Sequence, residues 1–573
     1  MGPSSDRWIL GLHSGHNASA CIGDEAGIRF AIQEERLTGE KNYWGYPERA
    51  VQACLDAVGA TARDVGTVAH GSVAVSCDYH DRDAVLRSYA RQGSVQGKLR
   101  QRVLVPVALK LRPTRNSGKL ERHLRRSGLA HASLTYHDHH VAHAGAAYYG
   151  LRTSPDRPYL VLTCDGVGDD ACATVAVHRD GTRRELARVN WANSLGAIYS
   201  WVTYGYGFVP LEHEYKLMGM APYAPPGAAE EIAAIFKSYL WLDDTGLGFR
   251  RGHAARINDS WARIERELRG KRFDHVFAGL QHFTEELLTA WTARAVEATG
   301  IRDVLAAGGV FMNVKANQRI AELDAVDSFQ AFPSCGDETL AMGALYLEAA
   351  GRGRAHADAV VGLSHYYLGD APDEREAERV LRATAGIKFD RPDDLPGAVA
   401  DLLVGGEAVA RAAGNMEFGA RALGNRSILA DPQNVDIVRV INQMVKKRDF
   451  WMPFAPMVLA DRQDDYLHNP KRLTSPYMMM TFDTRENFRE LLAAVHNADL
   501  TCRPQLLEQH QNPEMHAILK AFEARTGRGV VLNTSFNLHG FPIVRTATEA
   551  VEVLLGSGLR HLQVGPFLAS KVD

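Results

Sequence analysis

Two histidines four positions apart, His139 and His143, are the first candidates for chemistry in this chain. Residues at this spacing lie on one face of an α-helix, so both imidazoles would point the same way. A strand-like segment follows and ends near Asp165, whose carboxylate could complete a ligand set. Imidazole and carboxylate together suit iron, zinc or manganese rather than calcium. The pattern therefore predicts a transition-metal site.

Two other interpretations of the histidine pair stay open at this point. Both residues could be buried helix histidines held by hydrogen bonds, with no metal. A zinc peptidase would carry a glutamate as general base in the motif His-Glu-x-x-His. His140 occupies that position in this chain, which argues strongly against a peptidase.

The helix and strand that would carry these ligands belong to a larger repeated pattern. Three strands separated by tight polar turns are predicted over residues 8–37, and the pattern returns at residues 158–190. Such a repeat, with helices after each copy, is typical of a duplicated actin-like or sugar-kinase-like α/β fold. Its turns bind nucleotide phosphates through backbone amides in one cleft. Small residues at 144–147 predict close packing of the histidine helix against another backbone.

Two further turns in this half of the chain carry polar residues. Gly308 and Gly309 follow a strand predicted at 303–309, and paired glycines let the backbone approach a ligand. Asn313 and Asn317 would share one face of a helix that begins here. Asp337 lies in a turn before a helix of small residues, where it could be a ligand, although a helix N-cap explains it better in isolation.

The pattern of residue types changes after a polar connecting segment at residues 351–374. Basic side chains then occur beside glycine, serine and asparagine turns, which suits the capture of phosphate or carboxylate. Surface salt bridges are the alternative explanation. The candidate anion ligands are Arg421, Arg426, Lys446, Arg448, Arg503, Asn533 and Ser535.

Composition narrows the class of protein. The 573 residues, 46% of them hydrophobic and 23% charged, are typical of a soluble protein with two to four domains. The net charge of −3 argues against a polyanion partner, and the basic run at 82–126 is better explained by solvated helix faces. Seven cysteines without regular spacing favour reduced thiols in the cytoplasm. We find no apolar signal segment and no stretch of the ~20 apolar residues that a membrane span needs.

Eight short motifs occur in order along the chain: GHNASA, HHVAH, DGVGD, KLMGMA, GGVFMN, GDET, EFGARALGNRS and LNTSFN. In residue type, order and spacing they resemble motifs of the O-carbamoyltransferases of the nodulation, cephamycin and tobramycin type. The resemblance covers nearly the whole chain. It implies a metal- and nucleotide-binding transfer domain over residues 1–360, similar to the tRNA threonylcarbamoyl transferase domain. An α/β YrdC-like domain that forms carbamoyl adenylate would occupy residues 361–573.

The resemblance also implies roles for individual residues of the transfer domain. His16 would be the general base for the acceptor hydroxyl, which suits an imidazole that titrates near neutrality. Lys41 would lie on the acceptor side, although Asn42 stands after it where the family has histidine. Iron(II) or another divalent transition metal would bind to His139, His143, Asp165 and Asp337. The nucleotide would contact Asp165, Lys216, Gly309 and Asn313.

In the second domain the resemblance assigns the basic and polar candidates to carbamoyl phosphate and the phosphates of ATP. One donor that the family uses is replaced by Met452, and Phe541 stands where the family has glutamate. The residues implied to bind these phosphates are Arg421, Arg426, Lys446, Arg448, Arg503, Asn533 and Ser535.

The implied reaction joins carbamoyl phosphate and ATP, with Mg²⁺ beside the nucleotide, into carbamoyl adenylate. The carbamoyl group then passes to a hydroxyl of a small-molecule natural product, as in antibiotic biosynthesis. Nucleic acid and membrane partners are not expected, and an oligomer is left open. The alternatives are a tRNA threonylcarbamoyl transferase-like enzyme and a sugar-kinase-like ATPase, which would hold magnesium by carboxylates without a histidine pair.

Overall fold

The computed structural model describes residues 8–93, 117–225, 227–253, 256–351, 358–442, 445 and 449–572. The chain divides into one unit of Met1–Glu34 with Asn42–Leu363, and another of Glu35–Lys41 with Ser364–Asp573. The short segment that contains Lys41 therefore groups with the second unit, although the predicted boundary places it in the first. Much of the basic run at 82–126 lies outside the described residues.

The first unit opens with a five-stranded sheet. Its strand order is β4-β3-β1-β6-β7, with β1, β6 and β7 parallel and β3 and β4 antiparallel to their neighbours. The strands of this part are β1 (Trp8–His13), β2 (Gly15–His16), β3 (Ser19–Asp24), β4 (Gly27–Gln33), β5 (Trp44–Gly45), β6 (Val65–His70) and β7 (Ser133–Tyr136). The helices of this part are α2 (Glu48–Ala57), α3 (Arg82–Gly93), α4 (Ser117–Arg126) and α5 (His139–Leu151). Helix α1 (Glu35–Thr38) follows β4 in the chain but groups with the second unit. Strands β2 and β5 form a separate pair.

A second five-stranded sheet has the order β10-β9-β8-β13-β14 and repeats the same strand directions. Its strands are β8 (Tyr159–Gly168), β9 (Ala171–Arg179), β10 (Thr182–Asn190), β13 (Asp303–Ala307) and β14 (Ser328–Ala331), with a hairpin of β11 (Leu240–Leu242) and β12 (Phe249–Arg251). The helices are α6 (Leu195–Gly205), α7 (Glu214–Met220), α8 (Ala228–Lys237), α9 (Ile257–Leu268), α10 (Phe273–Thr299), α11 (Val314–Glu322) and α12 (Leu340–Ala350). The predicted duplication is confirmed.

The two halves of this unit exchange helices. Helix α5 packs against β8 and β13 of the second sheet, whereas α12 packs against β1 of the first, and the two helices contact each other. A Cβ on Gly343 would overlap the carbonyl oxygen of Ala142, and one on Gly11 would overlap that of Ala341. A Cβ on Gly145 would lie 2.9 Å from the side chain of Leu347. The close packing predicted for the small residues of α5 is therefore confirmed.

The second unit is built on an eight-stranded sheet of order β15-β24-β23-β16-β17-β22-β18-β21. Its strands are β15 (Ile387–Asp390), β16 (Val409–Ala412), β17 (Arg426–Ala430), β18 (Ala455–Leu459), β21 (Gln505–Leu507), β22 (Val530–Ser535), β23 (His561–Val564) and β24 (Phe567–Lys571), and β19 (Phe482–Asp483) pairs with β20 (Thr501–Cys502). The helices are α13 (Glu374–Ala383), α14 (Leu395–Val404), α15 (Val435–Ile441), α16 (Gln463–Tyr466), α17 (Pro513–Thr526) and α18 (Ala547–Leu555).

Helices cover both faces of this sheet. Ile428 and Ala430 of β17 pack with α13, α15 and α18, whereas Leu429, between them, packs with α14 and α17. Alternation along one strand places successive side chains on opposite faces, so the unit has three layers. The predicted α/β class is confirmed, and the YrdC-like assignment stays a prediction. Among the described helices, none is long and apolar enough to cross a bilayer.

Candidate metal centre

The four predicted metal ligands converge in the first unit. His139 and His143 lie on the first two turns of α5, Asp165 lies in β8, and Asp337 begins the turn before α12. Nε2 of His143 is 3.1 Å from Oδ2 of Asp165 and 3.8 Å from Oδ1 of Asp337. Nε2 of His139 is 3.6 Å from each of the same two oxygens. One ligand atom from each residue lies within 4.8 Å of all the others.

This donor set fits a divalent cation. Two imidazole nitrogens and two carboxylates suit iron, zinc or manganese. Ligands about 2.1 Å from one ion are about 3 to 3.5 Å apart, which is close to the observed separations. Nε2 of His139 is buried and makes no hydrogen bond to any residue that the structure describes. A buried polar atom without a partner is costly, so this nitrogen is well explained as a metal ligand.

Neighbouring imidazoles keep the two carboxylates ionised in spite of burial. Burial would raise the pKa of Asp165, but the adjacent imidazoles of His139 and His143 hold that pKa well below its ordinary value. Burial and the charge of Asp165 likewise oppose ionisation of Asp337, yet the nearby histidines lower its pKa. Two ionised carboxylates in a buried site attract a cation strongly, because charges interact more strongly there than in water.

Asp169 positions the histidine helix from outside the ligand set. Its Oδ2 accepts the backbone N–H of His139 at 2.8 Å, and its Oδ1 accepts from Ser72 Oγ at 2.9 Å and from the N–H of Ala74 at 2.6 Å. At the same helix end, Asp138 accepts the N–H of Val141 at 3.0 Å. Carboxylates at a helix N-terminus stabilise it. Sequence reasoning does not identify Asp169, although the motif DGVGD ends on it.

Gly168 leaves the space that the His139 ring occupies, because a Cβ at this position would overlap the imidazole. We expect Gly168→Ala to displace the ring and weaken metal binding about 10- to 100-fold, the usual effect of a disturbed ligand support. Metal titration of the purified protein measures this. Gly166→Ala is the matched control, since a Cβ there meets nothing within 4 Å. Equal metal affinity in the two variants would contradict the assignment.

His16, the predicted base, lies on β2 close to the metal ligands. Its backbone carbonyl is 3.1 Å from Nε2 of His13, which in turn lies 4.0 Å from Oδ2 of Asp337. Burial lowers the pKa of His13 to about 3, so His13 is neutral at physiological pH. The His16 ring packs edge-on against Trp44, with ring centroids 5.4 Å apart. Sequence reasoning does not identify His13, which links the turn of His16 to a metal ligand.

The residues predicted to contact the nucleotide differ in their surroundings. The N–H of Gly309 donates to Oδ2 of Asp165 at 3.1 Å, so the Gly-Gly turn adjoins the metal ligands. Asn313 instead caps α11 by accepting the N–H of Ala316, and its amide pairs with that of Gln281 at 2.9 Å. Nζ of Lys216 lies over the ring of Phe208, 5.5 Å from its centroid. Gly309 therefore contacts Asp165, one of the proposed metal ligands, directly.

Several predicted anion ligands of the second unit lie along two neighbouring strands. Asn533 and Ser535 are on β22, which pairs with β17, and Arg421 lies in the loop before β17. Asn533 Nδ2 donates to the carbonyl of Ala422 at 3.0 Å. Ala422 follows Arg421 in the sequence, so Asn533 contacts the loop that carries Arg421. Arg503 lies just before β21. Lys446 and Arg448 lie outside the described residues.

The side chain of Arg426, which is also predicted to bind phosphate, is surrounded by main-chain carbonyls of the second unit. Its side chain is fully buried. A guanidinium whose nitrogens are already engaged with main-chain carbonyls offers no free edge to a phosphate. The backbone carbonyls that accept from it belong to Asp370, Ala413, Gly414, Asn425 and Arg545.

Two family models place the chain among the carbamoyltransferases. The family model described as carbamoyltransferase N-terminus matches residues 8–346, and the carbamoyltransferase C-terminus matches residues 400–571. The N-terminal model alone spans more than half of the chain. The protein therefore belongs to the carbamoyltransferase family and is a transferase enzyme, which confirms the resemblance found in the sequence.

The chain is also similar to individual proteins, among them two nodulation proteins. It is 30% identical to nodulation protein NolNO of Sinorhizobium fredii, over 97% of this chain and 79% of that protein. It is 33% identical to nodulation protein NolO of Bradyrhizobium diazoefficiens, over 76% of this chain and 79% of that protein. A solved structure of HypF from T. kodakarensis aligns at 10% identity and a TM-score of 0.33, over 61% of this chain and 48% of that one. The fold assignment rests on the sheet topology.

Proposed function

We propose that this carbamoyltransferase uses carbamoyl phosphate and ATP to form carbamoyl adenylate and transfers the carbamoyl group to a hydroxyl of a small-molecule natural product. The observation that carries the proposal is the convergence of His139, His143, Asp165 and Asp337 beside the amide of Gly309. A sugar kinase holds Mg²⁺ with carboxylates, phosphates and water and has no need of two imidazoles. Family membership supplies the identity of the transferred group.

The chemistry divides into two half-reactions. In the first, water hydrolyses carbamoyl phosphate to carbamate and inorganic phosphate, and the carbamate oxygen then attacks the α-phosphorus of ATP while pyrophosphate leaves. In the second, the acceptor oxygen attacks the carbamoyl carbon, the bond to AMP breaks and AMP leaves. The hydroxyl proton passes to an imidazole nitrogen of His16, which general base catalysis requires to be within hydrogen-bond reach of the acceptor. The cation, which we propose to be iron(II), supplies positive charge beside the adenylate phosphate when bound.

Support for the first half-reaction comes from polar groups inside the second unit. Oδ1 of Asn533 is buried and accepts no hydrogen bond within the described part of the chain, so we propose that it accepts one from a substrate. Ser535 Oγ donates to Asn537 at the end of the same strand. We propose Arg421, Arg503, Asn533 and Ser535 as ligands of carbamoyl phosphate and ATP. Lys446 and Arg448 remain proposed on the sequence resemblance alone.

The direct test combines the protein with ATP, carbamoyl phosphate and a panel of hydroxylated natural products. We expect AMP and pyrophosphate to form, and the acceptor to gain the mass of one carbamoyl group. Omission of ATP or of carbamoyl phosphate should each abolish the product. Formation of ADP and a phosphorylated acceptor would instead identify a kinase.

Replacing Arg421 or Ser535 by alanine is expected to slow adenylate formation about 10- to 100-fold, because charge-assisted phosphate contacts are among the strongest hydrogen bonds. Pyrophosphate release measures this step. Transfer from synthetic carbamoyl adenylate should be unchanged. Arg525→Ala is the control, since Arg525 forms a surface pair with Asp401 at 2.6 Å. Loss of transfer from supplied adenylate would refute the division of labour between the two units.

A further inference from the structure

A second candidate site in the first unit is a basic cavity of about 210 Å³. It shares no residue with the proposed metal centre. One wall is α4, and the other is the segment after β6. The lining residues are Cys77, Asp78, Lys119, Arg122, His123 and Arg126.

The charges of this cavity are only partly compensated. Lys119 Nζ is 2.7 Å from both carboxylate oxygens of Asp78. Arg122 Nε donates to the carbonyl of Gly118 at 3.1 Å. Among the described residues, no carboxylate lies within 4.0 Å of Arg122 or Arg126. These two arginines are exposed and lie four positions apart on one face of α4, a spacing at which like charges repel each other and at which both can contact one anion.

The cavity wall is connected to the proposed transfer site. Cys77 Sγ lies 3.8 Å from Ser14 Oγ, and Ser76 Oγ accepts from Trp44 Nε1 at 3.4 Å. Trp44 is the residue that packs against His16. Ser14 precedes His16 by two positions, and two extended residues span about 7 Å. The cavity wall is therefore adjacent to the turn that carries the proposed base.

We propose that Arg122 and Arg126 bind a phosphate group of the acceptor, so that the acceptor is a phosphorylated hydroxyl compound such as a sugar phosphate or a nucleotide sugar. The inference rests on the proposed function. A guanidinium matches the geometry of phosphate and forms paired hydrogen bonds with it. Pockets for whole drug-sized ligands measure about 300 to 1,000 Å³. The smaller volume here suits the anionic group alone, with the reacting hydroxyl left outside the cavity.

The test measures binding of glucose 1-phosphate, UDP-glucose and glucose to the full chain. We expect the double variant Arg122→Gln, Arg126→Gln to weaken binding of the phosphorylated probes about 10- to 100-fold, from the loss of charge-assisted contacts. Arg125→Gln is the matched control, because Arg125 is exposed on the same helix and does not line the cavity. Preference for one phosphorylated probe distinguishes a sugar phosphate from a nucleotide sugar.

Three results would overturn the inference. The first is that glucose binds with the same affinity as glucose 1-phosphate. The second is that the double variant binds both phosphorylated probes with normal affinity. Binding of a tRNA that depends on both arginines, without binding of the small probes, would assign the surface to nucleic acid. A failure of the proposed function gives a different result. In that case no acceptor would be carbamoylated, but binding of the phosphorylated probes would still depend on Arg122 and Arg126.

Discussion

His139→Ala and His143→Ala are each expected to remove the bound metal and abolish carbamoyl transfer. Each substitution deletes one of four converging donors and leaves the remaining donors around an open position. Loss of an outer residue that only supports a ligand costs about 10- to 100-fold in metal affinity, and loss of a ligand should cost more. Metal content by mass spectrometry and the transfer rate from synthetic carbamoyl adenylate measure the two effects.

His140→Ala is the control for these variants. His140 is buried on the same helix, but its Nδ1 lies 2.9 Å from Thr163 Oγ1, and it is not among the four converging ligands. General loosening of α5 would therefore appear in all three proteins. Stoichiometric metal in the two ligand variants, or equal loss in His140→Ala, would disprove the metal site.

His16→Asn is expected to slow carbamoylation of the acceptor by about 10²- to 10⁴-fold, the usual contribution of a general base. Release of pyrophosphate from ATP and carbamoyl phosphate should continue, because it precedes proton removal from the acceptor. Both products can be followed in one reaction. Loss of pyrophosphate release to the same degree would assign His16 to an earlier step or to a structural role.

His80→Asn is the matched control for His16→Asn. The His80 ring also packs edge-on against Trp44, with centroids 5.4 Å apart, but His80 is exposed. If disturbance of Trp44 alone reduced transfer, both variants would lose activity. Normal transfer by His80→Asn would assign the effect to the imidazole of His16.

The repeated strands and the shared helix face of His139 and His143 could be predicted because their signals are local. Alternating apolar residues and polar turns mark both copies of the three-stranded pattern, and the spacing of His139 and His143 defines a helix face. The role of Asp337 as a neighbour of these histidines required the family resemblance. In isolation its turn favours a simple helix cap.

Contacts between distant residues could not be predicted. Asp169 supports α5 only because Ser72 and Ala74 come from another part of the chain. Arg426 shows the same difficulty, since a basic residue in a glycine-rich turn can bind phosphate or fill a buried polar space. Its environment depends on the carbonyls of Asp370 and Arg545, which are remote in sequence.

The exchange of helices between the two sheets has a consequence for biosynthesis. Gly11 on β1 packs against Ala341 on α12, which leaves the ribosome on the order of 300 residues later. At a rate of synthesis of about 5 to 20 residues per second, α12 is made roughly 15 to 60 s after β1, and the apolar face of β1 lacks its packing partner until then. Contacts of such long range also slow folding. The apolar face of β1 is therefore uncovered through this interval, and we expect a fragment that ends before α12 to aggregate when expressed alone.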